Sequence, residues 1–160
     1  MIFISAGTLE FPFPRLVSVV YEKMLGKKEK VVIQSGYGCE LKSKKNITVQ
    51  QFFTLEETIE LYKKARINVS AAGEGSCMLL SQFSKNIFYL VPRLAKFNEH
   101  VDDQQLEIAR YFSKKKQAVV VEDTSLLSSE FKRENQSTLT KSKPNLFSNE
   151  LAQTMKKKLR

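Results

Sequence analysis

Ile67-Asn68-Val69-Ser70-Ala71-Ala72-Gly73-Glu74-Gly75-Ser76 is the stretch on which the fold turns. Residues 67–71 form a short run that reads as a strand. The glycines at 73 and 75 then break it, and an apolar helical pattern from Ser76 to Ser84 follows at once. A chain that passes directly from strand to helix leaves the first N–H groups of the helix without partners. It aims them, with the positive end of the helix dipole, beyond the strand's carboxyl end. Such a junction suits a diphosphate. The alternative is a glycine turn chosen only for tight packing.

The same alternation extends in both directions. Residues 2–6 form a strand that stops at Gly7-Thr8, and Arg15 to Leu25 has helical spacing at Leu16, Val19, Val20 and Met24 before Gly26. Pro12 and Pro14 precede that helix, where a missing N–H does least harm. Residues 30–34 and 47–53 read as the next two strands. Thr54 with Glu57 forms a capping-box pattern opening a helix whose apolar side is Leu55, Ile59, Leu61, Tyr62 and Ala65. Beyond the central stretch, residues 87–91 form a strand stopped by Pro92, and Asp102-Asp103 start a helix carrying Leu106, Ile108, Ala109 and Phe112. A sixth strand covers residues 118–121, and Asp123-Thr124 opens a further helix.

Strands this apolar are covered on both faces, as in a parallel sheet. Regular strand-helix alternation predicts a Rossmann-like, doubly wound, mainly parallel α/β domain over residues 1–134. Residues 135–145 lack apolar periodicity and read as a linker or mobile loop, and residues 146–160 as a basic C-terminal helix.

Ligands of open α/β sheets bind outside the carboxyl ends of the strands. The sequence places Gly7, Gly36 with Gly38, and Gly73 with Gly75 there. The pattern is neither a nicotinamide fingerprint nor a P-loop. Only Gly7 follows the first strand, Met78 stands where a third glycine would follow Gly73-Glu74-Gly75, and no Gly-x-x-x-x-Gly-Lys-Ser/Thr occurs. Glu99-His100-Val101-Asp102-Asp103-Gln104-Gln105-Leu106-Glu107 concentrates carboxylates and amides at a helix start, where they suit sugar or ribose hydroxyls. Asp102 or Asp103 would equally cap the helix. His100 is a candidate acid or base, because its unperturbed pKa lies near neutrality. Cys77, near a helix start, is either a thiol of lowered pKa or a packed small side chain.

Composition narrows the class. The chain has 160 residues, 42% of them hydrophobic, which is enough for one core. Two cysteines and one histidine make neither a disulfide scaffold nor a structural zinc site, so no metal is expected. No apolar run reaches membrane-spanning length, and the N-terminus reads as a strand rather than a signal peptide, so a cytoplasmic, reduced setting is expected. The formal charge is +9. Residues 1–110 hold 15 basic and 12 acidic side chains and residues 111–160 hold 11 and 5, so most of the excess lies late in the chain. Its clusters are Lys114-Lys115-Lys116, Lys132-Arg133 and Lys156-Lys157-Lys158. They fit a solvated face or an anionic membrane surface. They lack the interleaved aromatics of a nucleic-acid site, and no nucleic-acid partner is expected.

Taken together, Ile4-Ser5-Ala6-Gly7-Thr8, Val32-Ile33-Gln34-Ser35-Gly36, Ser70 to Ser76, Val91-Pro92-Arg93 and His100 to Ala109 resemble the glycosyltransferase family 28 C-terminal domain. Within it they are most similar to the small donor-binding subunits of two-part bacterial exopolysaccharide and capsule glycosyltransferases. Those subunits in turn resemble the catalytic subunit of the dolichol-linked N-acetylglucosamine transferase. The resemblance covers residues 1 to about 125. It implies the C-terminal half of a GT-B enzyme, a UDP-sugar as donor with no cofactor, and a polyprenyl-diphosphate-linked saccharide as acceptor. It also implies a separate, membrane-anchored acceptor-binding subunit that holds this one at the inner face of the cytoplasmic membrane.

By position, Gly7 and Thr8 would line the interdomain cleft. Gln34, Ser35 and Gly36 would lie near the nucleotide. Gly73, Glu74, Gly75 and Ser76 would hold diphosphate and sugar, and Asp103, Gln105 and Glu107 would contact sugar or ribose. Arg93 would help to neutralise the diphosphate, and Glu74 and His100 are the candidate catalytic groups. The chain departs from the family at Ala71 and at Gln104, where a histidine is usual. A catalytically impaired binding or scaffold subunit is the alternative, and a basic nucleic-acid-binding module a more distant one.

Overall fold

The structure is a computed structural model that describes residues 1–127 and residue 131. Six strands form one sheet: β1 (Ile2–Ser5), β2 (Val31–Gln34), β3 (Ile47–Gln50), β4 (Ile67–Ala71), β5 (Phe88–Val91) and β6 (Ala118–Val120). Their order is β3-β2-β1-β4-β5-β6, and every pair is parallel. The doubly wound α/β sheet expected from the sequence is therefore the one formed. The strand order reverses between β1 and β4, where Ser5 lies beside Ser70.

Alternation along the strands builds two cores. Ile2, Ile4, Val31, Ile33, Ile67, Val69, Tyr89 and Val91 face one side, which is covered by Leu16, Val17 and Val20 of α1 (Pro14–Met24). Phe3, Val32, Phe88 and Leu90 face the other. Over them pack Tyr62 of α2 (Leu55–Lys64), Cys77 and Leu80 of α3 (Glu74–Phe83), and Ile108, Ala109 and Phe112 of α4 (Gln104–Lys114). Each side chain of a strand buries its area against one helix layer, which is the main stabilising term.

Local signals act where the sequence places them. Thr54 Oγ1 accepts from Glu57 N at 3.2 Å, and Glu57 Oε2 accepts from Thr54 N at 2.8 Å, a complete capping box. Helix α3 begins at Glu74, two residues before the expected start, with Gly73 as a cap that has no side chain to offer. The strand of 47–53 closes at Gln50, and as an edge strand β3 is only half covered. Asp123 opens a single 3-10 turn over Thr124–Leu126, its Oδ1 accepting from Ser125 N at 2.9 Å. The linker of 135–145, the helix of 146–160 and the two later basic clusters lie outside the described residues.

Candidate functional site

All the singled-out residues gather at the carboxyl edge of the sheet, but they divide into an open group and a buried group. The open group flanks the switch point. Gly7 has φ +77°, a conformation only glycine adopts without strain, and its N–H donates to Ser5 Oγ at 3.2 Å. Thr8 beside it is exposed. Across the β1–β4 boundary lie Gly73, Glu74, Gly75 and Ser76. Gly73 has ordinary extended backbone and Gly75 is helical, so neither needs glycine for its φ. A Cβ at either would meet nothing within 4 Å. The absence of side chains there keeps the surface over the first turn of α3 open. The first intrahelical bond is Cys77 N to Gly73 O at 3.0 Å, so the N–H groups of Glu74, Gly75 and Ser76 precede the ladder and face that opening.

The buried group braces the loops that carry the open one. Gln34 Nε2 donates to Gly7 O at 3.1 Å while its Oε1 accepts from Phe53 N at 3.4 Å, tying the β1 loop to the β3–α2 connection. Ser35 is buried beside it. Gly36, at φ +67°, packs so closely that a Cβ would lie 3.3 Å from Ala6 Cβ.

Arg93 corrects the sequence reading. It is 1% exposed, and its guanidinium donates to the carbonyls of Phe11 at 2.7 Å, Ala6 at 2.9 Å, Pro12 at 3.2 Å and Glu99 at 3.4 Å. It also lies 4.4 Å from the ring centre of Phe13. Burial lowers its pKa to about 10 against the opposing pull of Glu99, which leaves it charged at neutral pH. Nη1 and Nη2 are committed to main-chain carbonyls and Nε is buried without a hydrogen-bond partner, so Arg93 is a brace for the β1 loop and not a diphosphate contact. Gln105 is likewise turned inward: its Oε1 accepts from Arg93 N at 3.1 Å.

The segment 95–107 is organised by its own carboxylates. Asp103 holds the N-cap position of α4 but accepts from Ala95 N at 2.8 Å instead of capping the helix. Asp102 Oδ1 takes the Gln104 N–H at 3.0 Å and lies 2.9 Å from His100 Nδ1. His100 is half-buried, with its ring centre 6.2 Å from that of Phe11. Glu107 is exposed on the first turn of α4. Cys77 is fully buried, and its thiol pKa is raised by burial and by Glu74, so it is a packed side chain and not an activated thiol.

Two residues were not singled out by spacing. Arg15 makes a two-pronged bond to Glu99, with Nε and Nη2 each 2.8 Å from a carboxylate oxygen, and donates to Pro92 O at 2.7 Å. Phe97 stacks beside it, its ring centre 4.8 Å from the guanidinium. A basic residue on the first turn of a helix at this edge was the available signal, but its partner lies 84 residues away. Among the described residues no group of three or more His, Cys, Asp or Glu could hold a metal ion.

The profile of the glycosyltransferase family 28 C-terminal domain matches residues 1–159. A comparison with curated proteins finds no match. Among solved structures the chain is similar to the glycotransferase of kitacinnamycin, with a TM-score of 0.57 and 14% identity. The superposition covers 81% of this chain and 35% of that one, so the likeness is one of fold, and this chain spans about a third of its neighbour.

Proposed function

The chain belongs to the glycosyltransferase family 28 C-terminal domain family, and from that premise we propose that it is the donor-binding subunit of a two-component glycosyltransferase. It moves a hexose or N-acetylhexosamine from a UDP-sugar to a polyprenyl-diphosphate-linked saccharide in exopolysaccharide or capsule synthesis. The observation that carries this reading is the open strand-to-helix junction at Gly73-Glu74-Gly75-Ser76, beside Gly7 and at the switch point of the sheet. Unpartnered N–H groups there suit a diphosphate.

Transfer proceeds with inversion. The acceptor hydroxyl forms its bond to the anomeric carbon as the bond from that carbon to the diphosphate oxygen breaks. A carboxylate, Glu74 or one from the partner, takes the hydroxyl proton. The helix dipole and its N–H groups stabilise the charge gained by departing UDP. His100, oriented by Asp102, is a second candidate for the proton. Asp103, Gln105, Gln34, Ser35, Gly36 and Arg93 serve by holding the loops in register.

In this reading the sheet holds the donor, and a separate subunit supplies the acceptor. Leu9 and Phe11 after β1, and Phe97 and Val101 after β5, are exposed on this same edge, an apolar rim suited to a membrane-anchored partner subunit. Among the described residues no helix is long and apolar enough to cross a membrane. Attachment at the inner face of the cytoplasmic membrane would come from that partner and from the late basic charge.

Transfer of labelled sugar from a UDP-sugar into a lipid extract tests the proposal. It is expected only when the full chain is combined with membranes of the cell that makes it. Equal transfer by the chain alone would overturn the two-component reading. No transfer, with UDP still bound, would favour the scaffold reading.

A further inference from the structure

Glu99 is a buried acid that the proposed mechanism leaves unused. Its side chain is 5% exposed, and both carboxylate oxygens are engaged. Oε1 accepts from Arg15 Nε at 2.8 Å, and Oε2 accepts from Arg15 Nη2 at 2.8 Å and from Leu94 N at 3.2 Å. Its main-chain carbonyl accepts from Arg93 Nη1 at 3.4 Å.

The local chain brings the carboxylate there. After β5 a single 3-10 turn covers Ala95–Phe97, and Asn98 follows it with φ +55°. Asparagine tolerates this left-handed backbone better than most residues. The reversal returns Glu99 to Leu94, whose carbonyl takes the N–H groups of Phe97 at 3.1 Å and of Glu99 at 3.4 Å. Arg15, the second residue of α1, closes this turn from outside. It also donates to Pro92 O after β5 and to Glu122 O after β6, each at 2.7 Å. One guanidinium thus joins α1, the exits of β5 and β6, and the turn of 95–99. A buried ion pair is weak support for a fold, because packed apolar residues would often serve as well. What this pair supplies is direction, since a planar two-pronged bond fixes geometry. Phe97 lies on that guanidinium yet is 48% exposed, and Val101, two residues past Glu99, is 77% exposed. The clamp therefore holds two large apolar side chains outward on the edge that carries the glycine junction.

We infer that Glu99 and Arg15 are positioning residues: clamped together, they hold the β5–α4 loop so that Phe97 and Val101 meet the membrane-anchored subunit that brings the acceptor. The identity of that subunit rests on the two-component reading above, but the clamp does not.

Arg15→Lys keeps the charge and loses the fork, and Glu99→Gln keeps the shape and loses the charge. In each, hydrogen exchange on the full chain is expected to speed up about fivefold to tenfold at the Leu94, Phe97 and Asn98 amides, with the amides of α2 unchanged. Co-sedimentation with membranes of the cell that makes the chain, in excess of that with vesicles of their extracted lipid, reads the docking. The membrane concentration that sediments half of the chain is expected to rise by about the same factor, while UDP affinity stays within about twofold. Val101→Ser, outside the clamp, is expected to weaken sedimentation as much without faster exchange. The Arg15→Lys/Glu99→Gln double variant is expected to lose less than the product of the two. Unchanged exchange in both single variants would overturn the clamp. Faster exchange with unchanged sedimentation, or with UDP affinity falling in step, would overturn the positioning role. So would a wild-type chain that does not sediment, and the exchange rates then decide the clamp alone. A wild-type chain that sediments but transfers no sugar is a failure of the transferase reading instead, and the same exchange and sedimentation data still decide the inference.

Discussion

Arg93→Leu is expected to lower the stability of the chain by about 3 kcal/mol, which for this length means a fall in Tm of about 6–12 °C. The substituted side chain fills similar space but takes this donor from the buried carbonyls of Ala6 and Glu99 and from the part-buried ones of Phe11 and Pro12. Hydrogen bonds to a charged group are worth about 1.5–3 kcal/mol each, offset in part by the cost of burying the guanidinium. Lysine should rescue little, because one ammonium cannot span four carbonyls around a planar fork. Urea or thermal unfolding of the full chain reads the effect. A Tm within about 2 °C of wild type, together with a large loss of UDP affinity, would make Arg93 a ligand contact and return it to the role its position in the sequence suggests.

Glu74→Gln is expected to act on the reaction and spare binding. Its carboxylate is exposed on the first turn of α3, among N–H groups that favour negative charge. If Glu74 takes the acceptor's proton, the amide keeps the shape and removes the base, lowering kcat by about 10²–10⁴. UDP affinity should hold steady, since a carboxylate adds nothing attractive to a diphosphate. Steady-state transfer with membranes, paired with UDP calorimetry, separates the two effects. An unchanged kcat with a weakened UDP complex would contradict the assignment and pass the base to His100 or to the partner.

These two residues also show how far the sequence could be read. Backbone-level features were legible because their causes are local. The apolar runs ending at Gly7, Gly36 and Gly73 marked strands that stop at one edge, and the Thr54–Glu57 spacing marked a cap. Position along the chain therefore brought every candidate to the carboxyl edge. Side-chain direction was not legible, since it depends on what packs nearby. Arg93 and Gln105 point inward because the β1 loop folds over them, leaving carbonyls that need donors. Asp103 keeps the N-cap position of α4 but spends its side chain on Ala95 N, a partner eight residues back that spacing does not reveal. The helix of Ser76–Ser84 begins at Glu74, because a glycine with no capping side chain gives no mark of where the turn closes.

The direct test of a donor site at the switch point is the thermal shift of the full chain on titration with UDP and UDP-sugars. Ligand that binds only the folded chain raises Tm with concentration, by about 2.7 kcal/mol of stability at 100 times Kd. A saturable, UDP-dependent rise, shared by UDP-sugars and retained in Glu74→Gln, is the predicted result. No UDP-dependent stabilisation of the wild-type chain, alone or with membranes of the cell that makes it, would contradict the account.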